Sequence, residues 1–408
     1  MSVAAGALLV FTNGPVLLFS KRVLDRTGRW EDHAVWPVLA AAAACGVALA
    51  ARRVLDATSQ QRDHSSRVAA AAVGCFTLAA VTSTLWSVDP AATAWRSSVY
   101  AGMALLAWAI AGFDYDETAA VVAAVAGAAV AASLLLVWLR PDLGLHPDGN
   151  WKGVYTNRNS LAPLAAVGVL VSVRYLLASG GWRRVAAAGG VAAAVAALVG
   201  AGSRTAWISL AVAAVAATVV GSHHWLNQRC GAATARTATA TAAGLATAAT
   251  AVAVVMQWDV PTFSQRREIW GLVWDRILQR PVLGHGFFTF WDIEELTQHA
   301  LLRRGSAHNS LVEVGLGLGL LGAVPFTVIV LLAARNATSS LWRHPGPDTW
   351  FGAALVAFLI VENLTESFVL WFSYSWVLLM AASLRPAPAA ADRLVAAPLH
   401  RESPGADR

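Results

Sequence analysis

Long apolar runs, separated by short polar stretches, recur along most of this 408-residue chain. A helix that crosses the hydrocarbon core of a bilayer needs about 20 mostly apolar residues, and about twelve runs approach that length. They lie near residues 3–19, 34–51, 68–86, 97–112, 118–139, 160–178, 185–201, 205–220, 237–256, 309–333, 350–361 and 364–383. The pattern therefore predicts an all-α fold, a polytopic membrane bundle of about twelve transmembrane helices.

The spacing of the runs divides the chain into four predicted parts. They are transmembrane helices 1–9 within residues 1–256, a large external loop at 257–308, transmembrane helices 10–12 within 309–384 and a disordered cytoplasmic tail at 385–408. The tail is rich in proline, alanine and charge, a composition that is typical of disorder. Alanine and glycine dominate many runs, and small residues let helices approach closely in lipid, so we expect a tight bundle.

Lysine and arginine in short loops set the orientation, because they favour the cytoplasmic side. With the N-terminus inside, most loop arginines fall on that side. Two loops fit poorly: residues 21–29 are basic and outside, and Asp114, Asp116 and Glu117 are inside without a base. The same parity gathers the polar segments on the outer face, as a functional site would require. These segments are the 86–96 turn, the 140–158 loop, the 203–204 turn, residues 257–308 and the 362–366 break.

Composition excludes several classes of protein. The chain is 57% hydrophobic and only 13% charged, whereas a soluble domain carries about 25% charged residues. A formal charge of +6 fits basic cytoplasmic loops, and no basic helix or base-stacking motif indicates a nucleic-acid partner. The three cysteines form no C-x-x-C pair, so neither a zinc site nor a disulfide framework is indicated.

Nucleotide and metal chemistry also lack their sequence signatures. The chain contains no Walker loop, no H-E-x-x-H and no G-x-S-x-G motif. Asp114-x-Asp116 is similar to a metal–sugar motif, but the predicted topology places it on the inner face. We therefore expect neither a metal nor another cofactor.

The polar segment before the tenth run contains an amphipathic helix. Ile269, Trp270 and Val273 recur at helical spacing, which predicts a helix at the membrane interface with its tryptophans at headgroup depth. Arg266 begins this helix and is a candidate to bind either a lipid phosphate or a substrate diphosphate.

Arg204 stands between two apolar runs with almost no loop around it. An arginine there is unfavourable unless it snorkels, pairs with an anion or helps to cap a tight helical hairpin. Arg204 and Arg266 are predicted on the same side. Two guanidinium groups facing one cavity suit a pyrophosphate, because each can make paired charge-assisted hydrogen bonds.

His308 opens an apolar helix, where the helix dipole disfavours the charged imidazolium and keeps the ring able to accept a proton. Such a residue suits a general base for an acceptor hydroxyl, although it could instead cap the helix. His285 and His299 are rivals in the same segment, and His285 lies in a Gly-His-Gly turn that favours a positioning role.

Other polar residues interrupt or border the apolar runs. Asn157 and Asn159 could hydrogen-bond sugar hydroxyls or cap the sixth helix. Glu362, Asn363 and Glu366 are expensive in apolar sequence unless they are paired, so one of them is a candidate counter-charge to the arginines. Arg174 lies within the sixth run and is predicted to snorkel towards the inner side.

Six short motifs, in order over residues 80–325, resemble the O-antigen ligase family of membrane glycosyltransferases. Each is weak alone, and their order and spacing make the resemblance fairly specific. They are Trp-Ser-Val-Asp-Pro at 86–90, Gly-Val-Tyr-Thr-Asn-Arg-Asn at 153–159, Ser-Arg-Thr-Ala-Trp at 203–207, Arg-x-x-x-Trp at 266–270, Pro-Val-Leu-Gly-His-Gly at 281–286 and Ala-His-Asn-Ser-Leu at 307–311, followed by Gly-Leu-Leu-Gly at 319–322.

This resemblance implies about twelve helices, an external loop folded over the active site, and a metal-independent, inverting transferase. It implies that Arg204 and Arg266 bind the diphosphate of a polyprenyl-linked donor, that His308 activates the acceptor hydroxyl, and that Asn159 lines the cavity. Arg267 lies beside Arg266, but the spacing to the tryptophan favours Arg266. Three further candidates for substrate contact are Arg267, Asn309 and Glu362.

Several functions remain open at this point. A transferase of this family could deliver its glycan to a lipid, to a protein, or to another glycan as a polymerase. A transporter or flippase of the same lipid-linked glycans would also need arginines in a cavity, but such proteins usually show helix breaks in corresponding positions of two halves. We expect the partners to be the lipid-linked donor, its acceptor and membrane lipids.

Overall fold

The computed structural model describes residues 1–12, 35–56, 64–231, 233–234, 237–238, 261–293, 305–339, 347–368 and 373–385. In these ranges the fold is helical, with one isolated β-bridge between Leu145 and Trp151. The helices used below are α1 (Ser2–Val10), α2 (Val35–Asp56), α3 (His64–Thr82), α4 (Pro90–Ile110), α5 (Tyr115–Leu139), α6 (Arg158–Ala178), α7 (Gly181–Ala201), α8 (Arg204–Cys230), α9 (Pro261–Gln279), α10 (Ser310–Ser339), α11 (Pro347–Thr365) and α12 (Tyr374–Leu384).

Six of these helices are long and apolar enough to cross a membrane. They are Ser66–Leu85, Tyr115–Leu139, Arg158–Ala178, Gly181–Ala201, Arg204–Cys230 and Ser310–Ser339. The prediction of an all-α membrane protein is confirmed, whereas the count of twelve spans, the four divisions and the external loop stay predictions. The ninth predicted run beyond residue 238 and the tail beyond 385 lie outside the described residues.

Helix α10 occupies the centre of the packing and contacts α3, α11 and α12, while α6 packs against α5 and α7. A buried aromatic cluster joins α10 to α3 and α12. The Trp376 ring stacks on Phe326 with centroids 5.2 Å apart, and its centroid lies 5.8 Å from that of Phe76. Small residues allow close crossings elsewhere. A Cβ on Gly102 of α4 would lie 2.2 Å from the Cβ of Ala43 in α2, so only glycine fits at this contact.

The acidic start of α5 obtains a base from another helix. Arg174 of α6 has a buried side chain that forms an ion pair with Asp116. Asp114 and Glu117 are occupied in a reciprocal capping box at the same helix start. Arg174 therefore supplies the basic partner that the loop sequence lacks, through a buried ion pair with Asp116.

Helix α10 is broken at Gly319, whose backbone has φ 56° and ψ −146°. The turn at residues 281–286 enters this break: the amide nitrogens of His285 and Gly286 donate to the carbonyl oxygens of Leu316 and Gly317 at 3.0 and 2.9 Å. In return, the amide of Leu320 donates to the carbonyl of Pro281 at 2.9 Å. Backbone groups freed by the break are thus satisfied inside the protein, as irregular backbone at membrane depth requires.

The motif at 86–90 holds the other side of this turn. Trp86 donates from its indole nitrogen to the carbonyl of Leu283 at 2.9 Å. The hydroxyl of Ser87 hydrogen-bonds to that of Thr289 at 2.9 Å, and a Cβ on Gly286 would collide with Ser87. Three of the motifs that carry the family resemblance therefore build one structural unit around the break in α10.

Candidate functional site

Glu366 joins the side chains of three separate helical segments. It lies directly after α11, and its side chain is only 10% exposed. Its Oε1 accepts a hydrogen bond from Nη2 of Arg266 at 2.9 Å, and its Oε2 lies 2.7 Å from Nδ1 of His308. The side-chain Nδ2 of Asn159 donates to Oε1 at 3.4 Å. Residues 159, 266 and 308, which are far apart in sequence, therefore meet at one carboxylate.

The charge on Glu366 is set by opposing effects. Burial raises the pKa of this carboxyl, but the hydrogen bond with His308 and the charges of His308 and Arg266 together outweigh burial. The pKa of Glu366 therefore lies below its ordinary value, and the group is ionised at neutral pH. A carboxylate at Nδ1 favours the tautomer with its proton on Nδ1, so that Nε2 of His308 is left as a proton acceptor.

His308 has a left-handed backbone, with φ 51°, which is unusual for a residue with a side chain. Three contacts hold the surrounding segment in place: the amide of His308 donates to Ser306 Oγ at 3.1 Å, Trp270 Nε1 donates to the Ala307 carbonyl at 2.8 Å, and the amide of Asn309 donates to Ser367 Oγ at 3.2 Å. Backbone strain of this kind persists only when its surroundings over-determine it, and it concentrates at functional sites.

A second buried carboxylate fixes the same segment. Glu313 of α10 accepts from the amide of Ala307 at 2.5 Å, from Ser367 Oγ at 3.0 Å and from Trp291 Nε1 at 2.8 Å. Asn309 caps α10, because its Oδ1 accepts from the amides of Leu311 and Val312. Its Nδ2 donates to the carbonyl of Leu364 at 2.9 Å. The side chain predicted as a possible substrate contact is thus occupied in joining α10 to α11.

The two neighbouring arginines of α9 face different ways. Ile269 and Val273 bury one face of the helix, and Arg266 lies beside that face with its side chain 13% exposed. Arg267 is exposed, and its side chain makes no hydrogen bond or ion pair within the described part of the chain. Of the pair, Arg266 is the residue that the structure brings to Glu366.

Arg204 begins α8 and is exposed. The hairpin before it is tight: Gly202 has φ 62°, and Trp151 donates its amide to the carbonyl of Gly200 at 2.8 Å. Helix α8 packs along α11, and Ser209, just over one turn after Arg204, lies close to Glu362 near the end of α11. Arg204 therefore lies at the same end of the bundle as Glu366.

Glu362 differs from Glu366 although the two are only four residues apart and the amide of Glu366 donates to the carbonyl of Glu362 at 2.7 Å. Glu362 is 1% exposed and lies close to Ser209, and its carboxyl oxygens form no ion pair with any described residue. The counter-charge to Arg266 that the sequence left open among residues 362–366 is therefore Glu366. Asn363, between them, hydrogen-bonds Ser310 and Ser375 and so ties α10 and α12 to α11.

His285 contacts a backbone carbonyl and an aromatic ring. Its Nε2 lies 2.9 Å from the carbonyl of Arg276, and its ring packs edge-on against Phe290. Burial lowers the pKa of this histidine, and the charges of Arg280 and Arg276 add to that effect. These contacts agree with a positioning role, while His299 lies outside the described residues.

Comparison with known families supplies a direct match. Residues 189–327 match a family model described as O-antigen ligase. The resemblance carried by the motifs is thereby confirmed over about a third of the chain. No curated protein matches the chain.

The O-antigen ligase match covers Arg204, Arg266, His308 and the break at Gly319, while Asn159 and Glu366 lie outside its limits. With the apolar helices, it supports a ligase- or polymerase-like membrane enzyme of polysaccharide assembly. Within the ranges that the structure describes, no group of three His, Cys, Asp or Glu side chains is arranged to hold a metal ion.

Sequence reasoning did not identify Glu366 as the centre of the site or Glu313 as a fixing residue. Glu366 has no sequence signal that separates it from Glu362, and its contacts with Arg266 and His308 appear only in the fold. Glu313 has the position of an ordinary acidic residue in the first turn of a helix, and only the fold reveals its three donors.

Proposed function

We propose that this protein is a membrane glycosyltransferase that moves a glycan from a polyprenyl diphosphate carrier to an acceptor hydroxyl, without a metal and with inversion at the sugar carbon. The observation that carries this proposal is the Glu366 carboxylate, which contacts Arg266 on one oxygen and His308 on the other. A group for binding phosphate and a group for accepting a proton are thereby held side by side. We place the site on the outer face of the membrane, where the predicted topology gathers the polar segments.

His308 is the proposed general base. Its side chain is 26% exposed, so a substrate can reach Nε2 while Glu366 holds Nδ1. The carboxylate also stabilises the imidazolium that forms when the ring takes a proton. This is the arrangement by which a carboxylate orients a catalytic histidine in hydrolases of unrelated folds.

Arg204 and Arg266 are the proposed donor-binding residues. Guanidinium groups make paired, charge-assisted hydrogen bonds to phosphate oxygens. Arg204 is exposed at the start of α8, and Arg266 is oriented by Glu366 at the same end of the bundle. Asn159 adds a polar group at the same carboxylate and is the proposed contact for a sugar hydroxyl.

The reaction needs one displacement. The acceptor oxygen attacks the sugar carbon from the face opposite the diphosphate, and its proton passes to Nε2 of His308. The bond from this carbon to the diphosphate oxygen breaks as the new bond forms, and the electron pair leaves with the diphosphate. The two arginines stabilise the growing negative charge, and fixed orientation supplies much of the remaining acceleration.

Transfer by the purified full-length protein tests the proposal. A polyprenyl-diphosphate-linked glycan and an acceptor are supplied with a chelator and without nucleotide, and the product is followed by mass spectrometry. We expect turnover by the natural sequence and a loss of about 10²- to 10⁴-fold in His308→Ala, the range for removal of a general base. Donor binding should persist in that variant, because the arginines remain.

The same preparation separates a transferase from a transporter. Reconstituted vesicles containing lipid-linked glycan on one side report movement across the bilayer. If His308→Ala still moved the glycan and the natural sequence gave no product with any lipid, glycan or protein acceptor, the transferase proposal would be wrong. A product that grows by repeating units on a glycan acceptor would identify a polymerase.

A further inference from the structure

A cleft lies at the end of the bundle opposite to the Glu366 cluster. Its walls come from the starts of α5 and α11 and the ends of α10 and α12, whereas Glu366 follows the end of α11 and His308 precedes the start of α10. The cleft is narrow and partly open to the surroundings. Most of its lining is apolar, including Phe351, Leu355, Leu359 and Leu378. Such a surface suits a hydrocarbon chain.

One end of the cleft carries a cation that has no carboxylate partner among the described residues. Arg385 follows α12, lies over the ring of Tyr115 at 4.2 Å and donates from Nη2 to Thr118 Oγ1 at 2.5 Å. Its Nε is buried and has no hydrogen-bond partner within the part of the chain that the structure describes. A permanently charged guanidinium with a buried, unused donor is unfavourable until an anion reaches it.

The carboxylates at the start of α5 are already in use. Asp114 and Glu117 cap the helix through each other's backbone amides, and Asp116 pairs with Arg174. Arg174 in turn lies over the ring of Phe351 in the cleft wall, at 5.7 Å. Among the described residues that line the cleft, Arg385 is therefore a cation without a carboxylate partner.

Asn336 provides a second unsatisfied group. Its side chain lines the cleft, it is 8% exposed, and its Nδ2 donates to the carbonyls of residues 382, 383 and 385. Its Oδ1 is buried and accepts no hydrogen bond from any described residue. Because Nδ2 fixes the orientation of the amide, Oδ1 is left to accept from a donor that enters the cleft.

We propose that this cleft binds an anionic phospholipid with a hydroxylated headgroup. Its phosphodiester would contact Arg385, a headgroup hydroxyl would donate to Asn336, and one acyl chain would lie along α11 and α12. The apolar wall, the unpaired cation and the unused acceptor match the three parts of such a molecule. The predicted orientation places the cleft at the inner leaflet, where basic pockets between helices bind anionic headgroups.

Native mass spectrometry of the full-length protein in detergent tests this binding site. Phosphatidylglycerol is compared with phosphatidylcholine of the same acyl chains, which lacks the net charge and the hydroxyls. We expect phosphatidylglycerol to bind at least about tenfold more tightly than phosphatidylcholine. The reason is that hydrogen bonds to a charged group, here the proposed ones between Arg385 and the lipid, contribute more than neutral ones. Arg385→Gln should abolish this preference. Arg335→Gln should retain it, because Arg335 is exposed at the same end of α10 and does not line the cleft.

A second variant covers the case in which Arg385→Gln fails to fold. Ala382→Leu keeps every charge and fills the apolar wall, so it should reduce phosphatidylglycerol binding while thermal unfolding stays close to that of the natural sequence. Equal affinity for the two lipids, unchanged phosphatidylglycerol binding in Ala382→Leu, or an unchanged preference in folded Arg385→Gln would overturn the proposal. Because the measurement is of binding alone, its outcome is independent of transfer activity.

Discussion

The charged groups near the two ends of helix α11 differ in whether they are paired. At one end Glu366 is shared among Arg266, His308 and Asn159, so charge and hydrogen bonds are balanced inside the protein. At the other end Arg385 lies over an aromatic ring with a buried donor unused. A balanced cluster fixes the positions of reactive groups before a substrate arrives. An unbalanced cation instead makes the site depend on a ligand of opposite charge.

The largest effect on transfer activity should come from removing the charge of Glu366. Glu366→Gln keeps the size of the side chain but removes the negative charge that orients His308 and stabilises its protonated form. We expect transfer to fall about 10²- to 10⁴-fold, measured as kcat with lipid-linked donor. Glu268→Gln, an exposed glutamate on α9, is the matched control and should lose less than about twofold, as is usual for surface substitutions. Similar losses in both variants would contradict the role given to Glu366.

A smaller effect should separate the neighbouring arginines. Arg266→Gln removes a cation from Glu366 and from the proposed diphosphate, and we expect transfer to fall by about 10²- to 10³-fold. Arg267→Gln removes the same charge from an exposed position one residue away and should cost much less activity. The comparison requires kcat/KM for both variants. A greater loss for Arg267→Gln would mean that α9 presents its other arginine to the donor.

Helix α10 is broken at Gly319. Replacing this glycine by a larger residue should have a moderate effect on the free energy of unfolding. A Cβ at Gly319 would lie 2.5 Å from the carbonyl carbon of Val282, at a positive φ. We expect Gly319→Ala to lower the free energy of unfolding by about 1–3 kcal/mol through strain. Gly127→Ala is the control, because no atom lies within 4 Å of its added Cβ, and alanine in a helix is favoured by about 0.5–1 kcal/mol.

Unfolding of both variants in detergent, followed by circular dichroism, supplies the measurement. If Gly319→Ala were as stable as the natural sequence, the turn at 281–286 could not be held as tightly as its hydrogen bonds indicate. Lipid binding at the Arg385 cleft should be little affected in the same variant, since no cleft residue touches the break.

The smallest effect concerns pH. The pKa of Glu366 is lower in the folded protein than in an ordinary glutamate, so its ionised form stabilises the fold above about pH 4.3, and that contribution is lost as the pH falls through the lower folded value. The difference in Tm between the natural sequence and Glu366→Gln should therefore shrink as the pH falls below about 4.3 and Glu366 takes up a proton. A difference that grew below about pH 4.3 would have the wrong sign for this contact.

The apolar pattern was sufficient to predict the principal helices. The runs at 160–178 and 185–201 correspond to Arg158–Ala178 and Gly181–Ala201, since Asn157 and Gly202 mark their ends. The break at Gly319 could not be predicted, because its backbone groups are satisfied by residues 281–286 and only the fold brings the two together. In the sequence, Gly319 lies within a continuous apolar run.

The candidate site was partly predictable. Arg266, His308 and Asn159 are polar residues at the edges of apolar runs, and such residues are retained there only for a reason. The choice among Glu362, Asn363 and Glu366 depended on where α11 ends, at Thr365, because Glu366 follows that end and contacts Arg266 and His308. Helix boundaries are the least certain part of a prediction from sequence, so this choice required the structure.

The left-handed backbone of His308 has a consequence for how the protein can change. His308→Gly and His308→Ala both lose the imidazole, but only glycine adopts a φ of 51° without a penalty, which is about 1–2 kcal/mol for other residues. The glycine variant should therefore unfold no more readily than the alanine variant, although glycine usually weakens a fold. The imidazole therefore stands at a backbone conformation that glycine adopts more readily, and its Nδ1 contacts Glu366 there.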